Sequence, residues 1–331
     1  MKIHVITPVP PHFNNGNKIT AVRMSRILRQ LGHKVLVEPR YSGKPCDLMI
    51  ALHARRSYSS VRKFRQLYPD LPLVVVLTGT DLYRDIKNDE NAQRSLELAS
   101  RLVVLQRLAL AELPKRLHSK ARVIYQSAEP YPVQPARADD SFRVCIVGHL
   151  RAEKDPLRTA MALRHLPPTS KIEVLHIGKV LDREIGKQAR LLAAHNPRYR
   201  LAGELPYWMT RRVLARSHLV VITSRIEGSS NVLSEALVSS VPLITSKIPG
   251  LMGTLGKDYP GFFPVGESAE LARLLLKAEL DRNFYQTLKR HCARAAALVQ
   301  PSRETNSWKL LLRELQTWSN PAPRQEVGGV S

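Results

Sequence analysis

Short, wholly apolar runs alternate along the chain with longer stretches whose apolar positions recur at helical spacing. IHVITPV (3–9) reads as a buried strand, and KITAVRMSRILRQLG (18–32) as a helix that stops at Gly32. Strand-like runs continue with HKVLVEP, CDLMIAL (46–52), LPLVVVLTG (71–79), SRLVVLQ (100–106) and ARVIYQS (121–127). Strands apolar on both faces and separated by helices predict a parallel sheet covered on both sides. At YPVQPARADD (131–140) prolines and charges interrupt the pattern and mark a linker. A second strand–helix series follows: FRVCIVGHL (142–150), KIEVLHIG (171–178), RYRLAGEL (198–205), SHLVVITS (217–224), VPLIT (241–245) and GFFPV (261–265). Helices are expected near 267–298 and 303–318, the second returning to the N-terminal domain, and SNPAPRQEVGGVS (319–331) reads as a disordered tail.

The expected architecture is α/β, with two doubly wound, Rossmann-like domains over 1–135 and 141–298. The 331 residues, 44% of them hydrophobic, are enough for two such cores. Charge adds a partner class: Lys+Arg 51 against Asp+Glu 28 gives +23, a field that favours anions. Nucleic acid is one anionic partner, but aromatics make up only 6% and no recognition motif is present, so no nucleic-acid partner is expected. Cys46, Cys145 and Cys292 have no ligand spacing, and the first two read as buried small hydrophobes. The N-terminal MKIHVITPVP is too short and strand-like for a signal peptide, and no apolar run is long enough to span a membrane. A cytoplasmic protein with no stable membrane insertion is expected.

Ligands of doubly wound sheets bind beyond the carboxyl ends of the strands, at helix N-termini. Four loops there carry chemistry. PVPPHFNNGNKIT places Asn14, Asn15, Gly16 and Asn17 at the entry to a helix, where a plain connecting loop is the competing reading. DLMIALHARRSYSS puts His53, Arg55 and Arg56 directly after a buried strand, with Ser57 placed to cap the next helix. Two guanidiniums and an imidazole form a compact oxyanion receptor, against the plainer reading of a solvated basic helix start. Thr78, Gly79, Thr80 and Asp81 of LTGTDLYRD belong to the same edge. GHLRAEKDP (148–156) sets Arg151 and Lys154 before a helix expected near Pro156, an arrangement suited to a diphosphate. RIEGSSNVLSEAL (225–237) holds Glu227 in a loop and Glu235 in the helix that follows. Backbone N–H groups around Ser229, Ser230 and Asn231 suit a phosphate between two hydroxyl-bearing groups, the shape of a nucleotide-sugar.

Glu227-GSSNVLS-Glu235 resembles the E-x7-E motif of retaining GT-B glycosyltransferases. GNKITAVRMSRILRQLGHKV is similar to their first loop, helix and second strand, and GHLRAEKDP to their GRLxxxKG loop. LAGELPYWMTRRVLARSHLVVITSRIEG resembles their run from the base-binding loop to the first Glu. The resemblance implies a GT-B fold whose parallel sheets face a central cleft. It implies Lys154 at the donor diphosphate and Glu227 at sugar hydroxyls, with Gly228 and the N–H groups of Ser229, Ser230 and Asn231 near the phosphates. Glu235 would hold the ribose, backbone near Leu205 would meet the base, and Gly16 would let the first loop approach the donor. The chain departs from that pattern at His149, where the family has Arg, and Arg151 is the candidate replacement.

NNGNKITAVR, ALHARRS, LTGTDLYRDI and GHLRAEKDP together resemble the selenosugar synthases of selenoneine biosynthesis. That implies transfer of selenium from selenophosphate to the anomeric carbon of a UDP-sugar, UDP-N-acetylglucosamine or UDP-glucose. The expected acceptor set is Asn17, Lys18, His53, Arg55, Arg56, Thr80 and Asp81; the expected catalytic set is Glu227 at the sugar hydroxyls, with Arg151, Lys154 and the helix N-terminus stabilising the departing diphosphate. No cofactor is expected beyond these two substrates, and no metal, since no DxD motif appears. The alternatives are a conventional GT-B transferase with a lipid, glycan or phosphorylated acceptor, and a nucleotide-sugar-binding regulator without catalysis.

Overall fold

The structure is a computed structural model, and it describes residues 1–9, 16–131 and 140–318. Asn14, Asn15, most of the expected linker and the 319–331 tail lie outside the described residues. The chain divides into two units. The first comprises Met1–Val104, Leu113–Ile124 and the chain from Glu304 onward; the second comprises Leu105–Glu112 and Tyr125–Arg303.

The first unit contains β1 (Lys2–Ile6), α1 (Gly16–Gln30), β2 (Lys34–Glu38), β3 (Leu48–Leu52), α2 (Tyr58–Leu67) and β4 (Leu73–Leu77). A π-helical turn at Asp81–Asp85 then runs into α3 (Ile86–Asn88), followed by α4 (Glu90–Leu98), β5 (Arg101–Val104) and β6 (Ala121–Val123). Its sheet is parallel, in the order β2-β1-β3-β4-β5-β6. Strands β3 and β4 are buried at every position, as their unbroken apolar runs require. The strand order reverses between β1 and β3, so the crevice beyond those two strands is where a doubly wound sheet binds its ligand.

The second unit contains β7 (Phe142–Val147), α5 (Arg158–Ala162), β8 (Ile172–Ile177), α6 (Arg183–His195), β9 (Tyr199–Gly203) and α7 (Tyr207–Arg216). It continues with β10 (Leu219–Ile222), α8 (Asn231–Val238), β11 (Leu243–Ser246), α9 (Pro249–Leu255), β12 (Phe262–Phe263), α10 (Ser268–Leu280) and α11 (Arg282–Ala296). The parallel order is β12-β11-β10-β7-β8-β9, and the reversal falls between β7 and β10. The GHLRAEKDP loop leaves β7 and the RIEGSS loop leaves β10, so two of the four candidate loops flank this unit's switch point.

α12 (Pro301–Trp318) follows, and from Glu304 it belongs to the first unit. Glu304 pairs with Arg23 of α1, Nε to Oε2 3.0 Å. Glu314 bridges Arg101 of β5, Nη2 to Oε1 2.6 Å, and Arg122 of β6, Nε to Oε2 3.0 Å. Trp308, Leu311, Leu312 and Leu315 are buried.

Three local expectations change. The helix expected near Pro156 begins at Arg158, because Asp155 takes a left-handed conformation (φ 43°) between a 3-10 turn at Ala152–Lys154 and the helix. The single helix expected near 267–298 is broken at Asp281, whose carboxylate accepts the Phe284 N–H (2.9 Å) and caps a new helix. Ser57 does not cap α2 with its side chain; its hydroxyl turns back to donate to the Leu52 carbonyl at 2.6 Å.

Candidate active site

The switch point of the second unit holds a pocket lined by Gly148, Lys154, His176, Ser224, Glu227 and Ser230, among others. Its two loops are tied together. The Arg225 N–H donates to the Glu153 carbonyl at 2.8 Å, and the Thr223 hydroxyl donates to the Lys154 carbonyl at 2.8 Å. Lys154 Nζ pairs closely with Glu227 Oε1, and the Ser224 hydroxyl donates to that same oxygen at 2.8 Å. Ser224 is itself fixed, because the Ser246 hydroxyl donates to its carbonyl at 2.5 Å. A lysine and a hydroxyl on one oxygen hold the Glu227 carboxylate in a fixed orientation, and they leave its other oxygen able to accept from a ligand.

Glycine sets the position of this carboxylate. A Cβ at Gly250 of α9 would lie 1.8 Å from the Glu227 carbonyl oxygen, so helix and loop approach this closely only without a side chain. Gly178 has the same role behind the first loop, where a Cβ would lie 2.0 Å from the Gly148 carbonyl oxygen.

That carbonyl is also held by His176, which the sequence reading did not select. His176 is 1% exposed, its Nε2 lies 3.0 Å from the Gly148 oxygen, and its Nδ1 lies 2.7 Å from the Tyr199 hydroxyl. Burial lowers its pKa to about 4, so the ring is neutral and donates from Nε2 to the carbonyl. The only sequence signal was a histidine set between Leu175 and Ile177 near the end of a strand-like run.

His149, where the family has Arg, accepts the Lys179 N–H on Nδ1 at 3.1 Å. Arg151 is half-buried with its Nε unbonded, and among the described residues no carboxylate pairs with it. Ser229 and Ser230 are buried ahead of α8, and Asn231 is its first residue. Gly228 is buried beside them. Glu235 is 5% exposed. Tyr207 opens α7, where its hydroxyl accepts from Arg211 Nη1 at 3.2 Å, and Leu205 lies two residues before it, half-buried.

The first unit brings the two guanidiniums and the imidazole together just beyond β3, in unequal surroundings. His53 sits just beyond β3 with a left-handed backbone (φ 69°) and is 2% exposed. Its Nε2 lies 3.1 Å from the Thr80 hydroxyl, and burial lowers its pKa, so it is a neutral imidazole. Arg55 is neutralised by Asp85, Nε to Oδ2 3.1 Å, and Asp85 also pairs with Arg84 at 3.3 Å. Arg56 is exposed, and among the described residues no carboxylate pairs with it. Asp81 faces backbone instead of a ligand. It is 0% exposed and accepts the N–H groups of Ala54 (3.0 Å), Thr78 (3.0 Å) and Gly79 (2.8 Å). Its side chain therefore fixes the loop that carries Thr80. Gly16, Asn17 and Lys18 open α1, and the loop that precedes them lies outside the described residues.

Two parallel α/β units, each with its candidate residues at a strand-order reversal, define a transferase of the GT-B fold. The chain belongs to the glycosyl transferases group 1 family, which matches residues 127–296, just over half of its length and all within the second unit. It is 24% identical over 327 residues to glycosyltransferase 1 domain-containing protein 1 of Xenopus tropicalis, covering 88% of this chain and 92% of that one. Among solved structures it is similar to HepE of Anabaena in complex with UDP, with TM-score 0.75, 16% identity, and 95% and 99% of the two chains covered. It is likewise similar to sucrose-phosphate synthase of Thermosynechococcus elongatus, with TM-score 0.76, 17% identity, and 96% and 99% covered. Among the described residues no helix is long and apolar enough to cross a membrane.

Proposed function

We propose that this glycosyltransferase is a cytoplasmic selenosugar synthase of selenoneine biosynthesis, joining selenophosphate selenium to C1 of UDP-N-acetylglucosamine or UDP-glucose. As the C–Se bond forms, the C1–O bond breaks and its electron pair leaves on UDP. Water then cleaves the Se–P bond, releasing inorganic phosphate and the selenosugar. On the donor side, Arg151, Lys154 and the N-terminus of α8 take the growing diphosphate charge. Glu227 holds sugar hydroxyls in the manner of an E-x7-E enzyme, Glu235 holds the ribose, and backbone near Leu205 meets the base. HepE, similar in fold, binds UDP and, in another structure, UDP-glucose.

The observation that carries the acceptor assignment is the state of the β3 edge. Both of its carboxylates are engaged, Asp81 by backbone amides and Asp85 by arginines, and its histidine is neutral and weakly basic. Such an edge is poor at deprotonating a hydroxyl acceptor and well suited to a nucleophile that arrives anionic, with Arg56 to receive its phosphoryl oxygens. Asn17, Lys18, Arg55 and Thr80 complete the proposed acceptor set. The reaction is proposed to need no metal.

Mass spectrometry of the protein with UDP-N-acetylglucosamine, with and without selenophosphate, is the test. The expected result is UDP plus a selenosugar only when selenophosphate is present, unchanged by EDTA. UDP-sugar binding with transfer only to hydroxyl acceptors would replace this reading with a conventional glycosyltransferase, the reading that family membership alone favours.

A further inference from the structure

The two ring nitrogens of the buried His53 have different partners. The Arg56 N–H donates to Nδ1 at 3.4 Å, and Nε2 lies 3.1 Å from the Thr80 hydroxyl oxygen. A backbone amide can only donate, so Nδ1 carries a lone pair and the ring proton sits on Nε2. The ring is neutral, and its Nε2–H donates to Thr80 Oγ1. Asp85 Oδ2 is 3.9 Å from the same nitrogen, too far to take that hydrogen bond instead. A hydroxyl that accepts from the ring turns its own proton elsewhere. Thr80 stands before the π-helical turn without capping it, and among the described residues no group accepts its proton.

The backbone holds the ring in place. The left-handed His53 (φ 69°) donates its N–H to the Val76 carbonyl at 2.9 Å, and its carbonyl accepts from the Ser57 N–H at 3.0 Å. Ala54 is fixed on both sides, its N–H by Asp81 at 3.0 Å and its carbonyl by the Ser95 hydroxyl at 2.8 Å. Asp81 also accepts the Gly79 N–H at 2.8 Å, so one buried carboxylate sets the spacing between His53 and Thr80. Strained backbone persists where surrounding partners over-determine it, and here they aim one side chain.

We infer that His53 is a positioning residue that fixes the Thr80 hydroxyl as a hydrogen-bond donor, and that Thr80 thereby binds an ionised phosphoryl oxygen of the acceptor. An Nε2 that already carries its proton cannot take one from a hydroxyl acceptor. The pair is instead polarised toward an oxyanion, which only accepts, and a hydrogen bond to a charged oxygen is stronger than one to a neutral oxygen. The inference rests on the proposed anionic acceptor. It does not depend on the donor assignments.

Steady-state UDP release tests it, with selenophosphate and UDP-N-acetylglucosamine each varied against the other at saturation. The variants are Thr80→Val, Thr80→Ser, His53→Asn and the double variant Thr80→Val with His53→Asn. Valine keeps the branched shape without the hydroxyl, and serine keeps the hydroxyl. Asparagine tolerates the left-handed backbone but is too short to place a donor where Nε2 lies. The KM for selenophosphate should rise about tenfold in Thr80→Val and about fivefold in His53→Asn, and stay near wild type in Thr80→Ser. The KM for the UDP-sugar should stay within about twofold throughout. In the Thr80→Val background, His53→Asn should add less than about twofold, because the ring acts through a hydroxyl that is no longer there. A ring that only packs would add its full effect in that background, and that result overturns the positioning role. An unchanged selenophosphate KM in Thr80→Val overturns the inference and leaves the proposed reaction standing. A wild type that releases no UDP in response to selenophosphate overturns both.

Discussion

At the scale of single residues, the chemistry depends on how a few polar groups are held. Lys154 and Ser224 converge on one oxygen of Glu227. Lys154→Ala removes both that restraint and a cation at the proposed diphosphate site, so kcat should fall by about 10²–10³, as when one preorganised charge-stabilising group is lost. Steady-state UDP release measures it. Gly250→Ala touches no ligand, but its methyl would meet the Glu227 carbonyl at 1.8 Å. The loop must move, and a displacement near 1 Å is expected to lower turnover about a hundredfold while circular dichroism stays native. His176 gives the pH dependence. Its folded pKa is about 4, below the ordinary 6.5. The unfolded chain therefore takes up this proton first, and stability is lost as pH falls from about 6.5 toward about 4, by roughly 3 kcal/mol at the acid end. Urea titrations at neutral pH and near pH 5 should show wild type losing roughly 2 kcal/mol more over that interval than His176→Asn.

At the scale of elements, α12 is held by apolar burial and by two acids, Glu304 on Arg23 of α1 and Glu314 on the strand arginines Arg101 and Arg122. Leu315, 1% exposed, should cost about 2–5 kcal/mol when cut to alanine, read as a lower urea midpoint. Elements also show what was legible in the sequence. β3, β4 and β10 stand out because each is an unbroken apolar run buried on both faces. GFFPV yields only the two-residue β12, since Pro264 has no N–H to continue the ladder. The break at Asp281 was signalled by an aspartate directly after an apolar helix face, and helical periodicity continuing on both sides masked it. Glu227, Lys154 and Glu235 were legible as a motif in sequence order. His176 was not, because its partner Gly148 is brought to it by strand pairing rather than by spacing. The charge state of the two guanidiniums and the imidazole was illegible for a related reason. Spacing announces charge, but Asp85 comes from the segment after β4 to neutralise Arg55, and burial keeps His53 uncharged.

At the scale of the molecule, the +23 charge draws anionic substrates from a distance. Raising ionic strength from about 0.01 M to about 0.15 M shortens the screening length from about 30 to about 8 Å. The kcat/KM for a UDP-sugar should therefore fall with salt while kcat holds, and a kcat that falls in parallel would place the effect inside the site instead. The division of the chain has a consequence in time. The first unit is interrupted after Ile124 and resumes only at Glu304. A ribosome adding about 5–20 residues per second takes roughly 10–40 s to cross that gap. Throughout it, Arg101 and Arg122 wait without Glu314, and the surface later covered by Trp308 and Leu311 stays wet. The first unit therefore completes its packing only after the second unit has been synthesised.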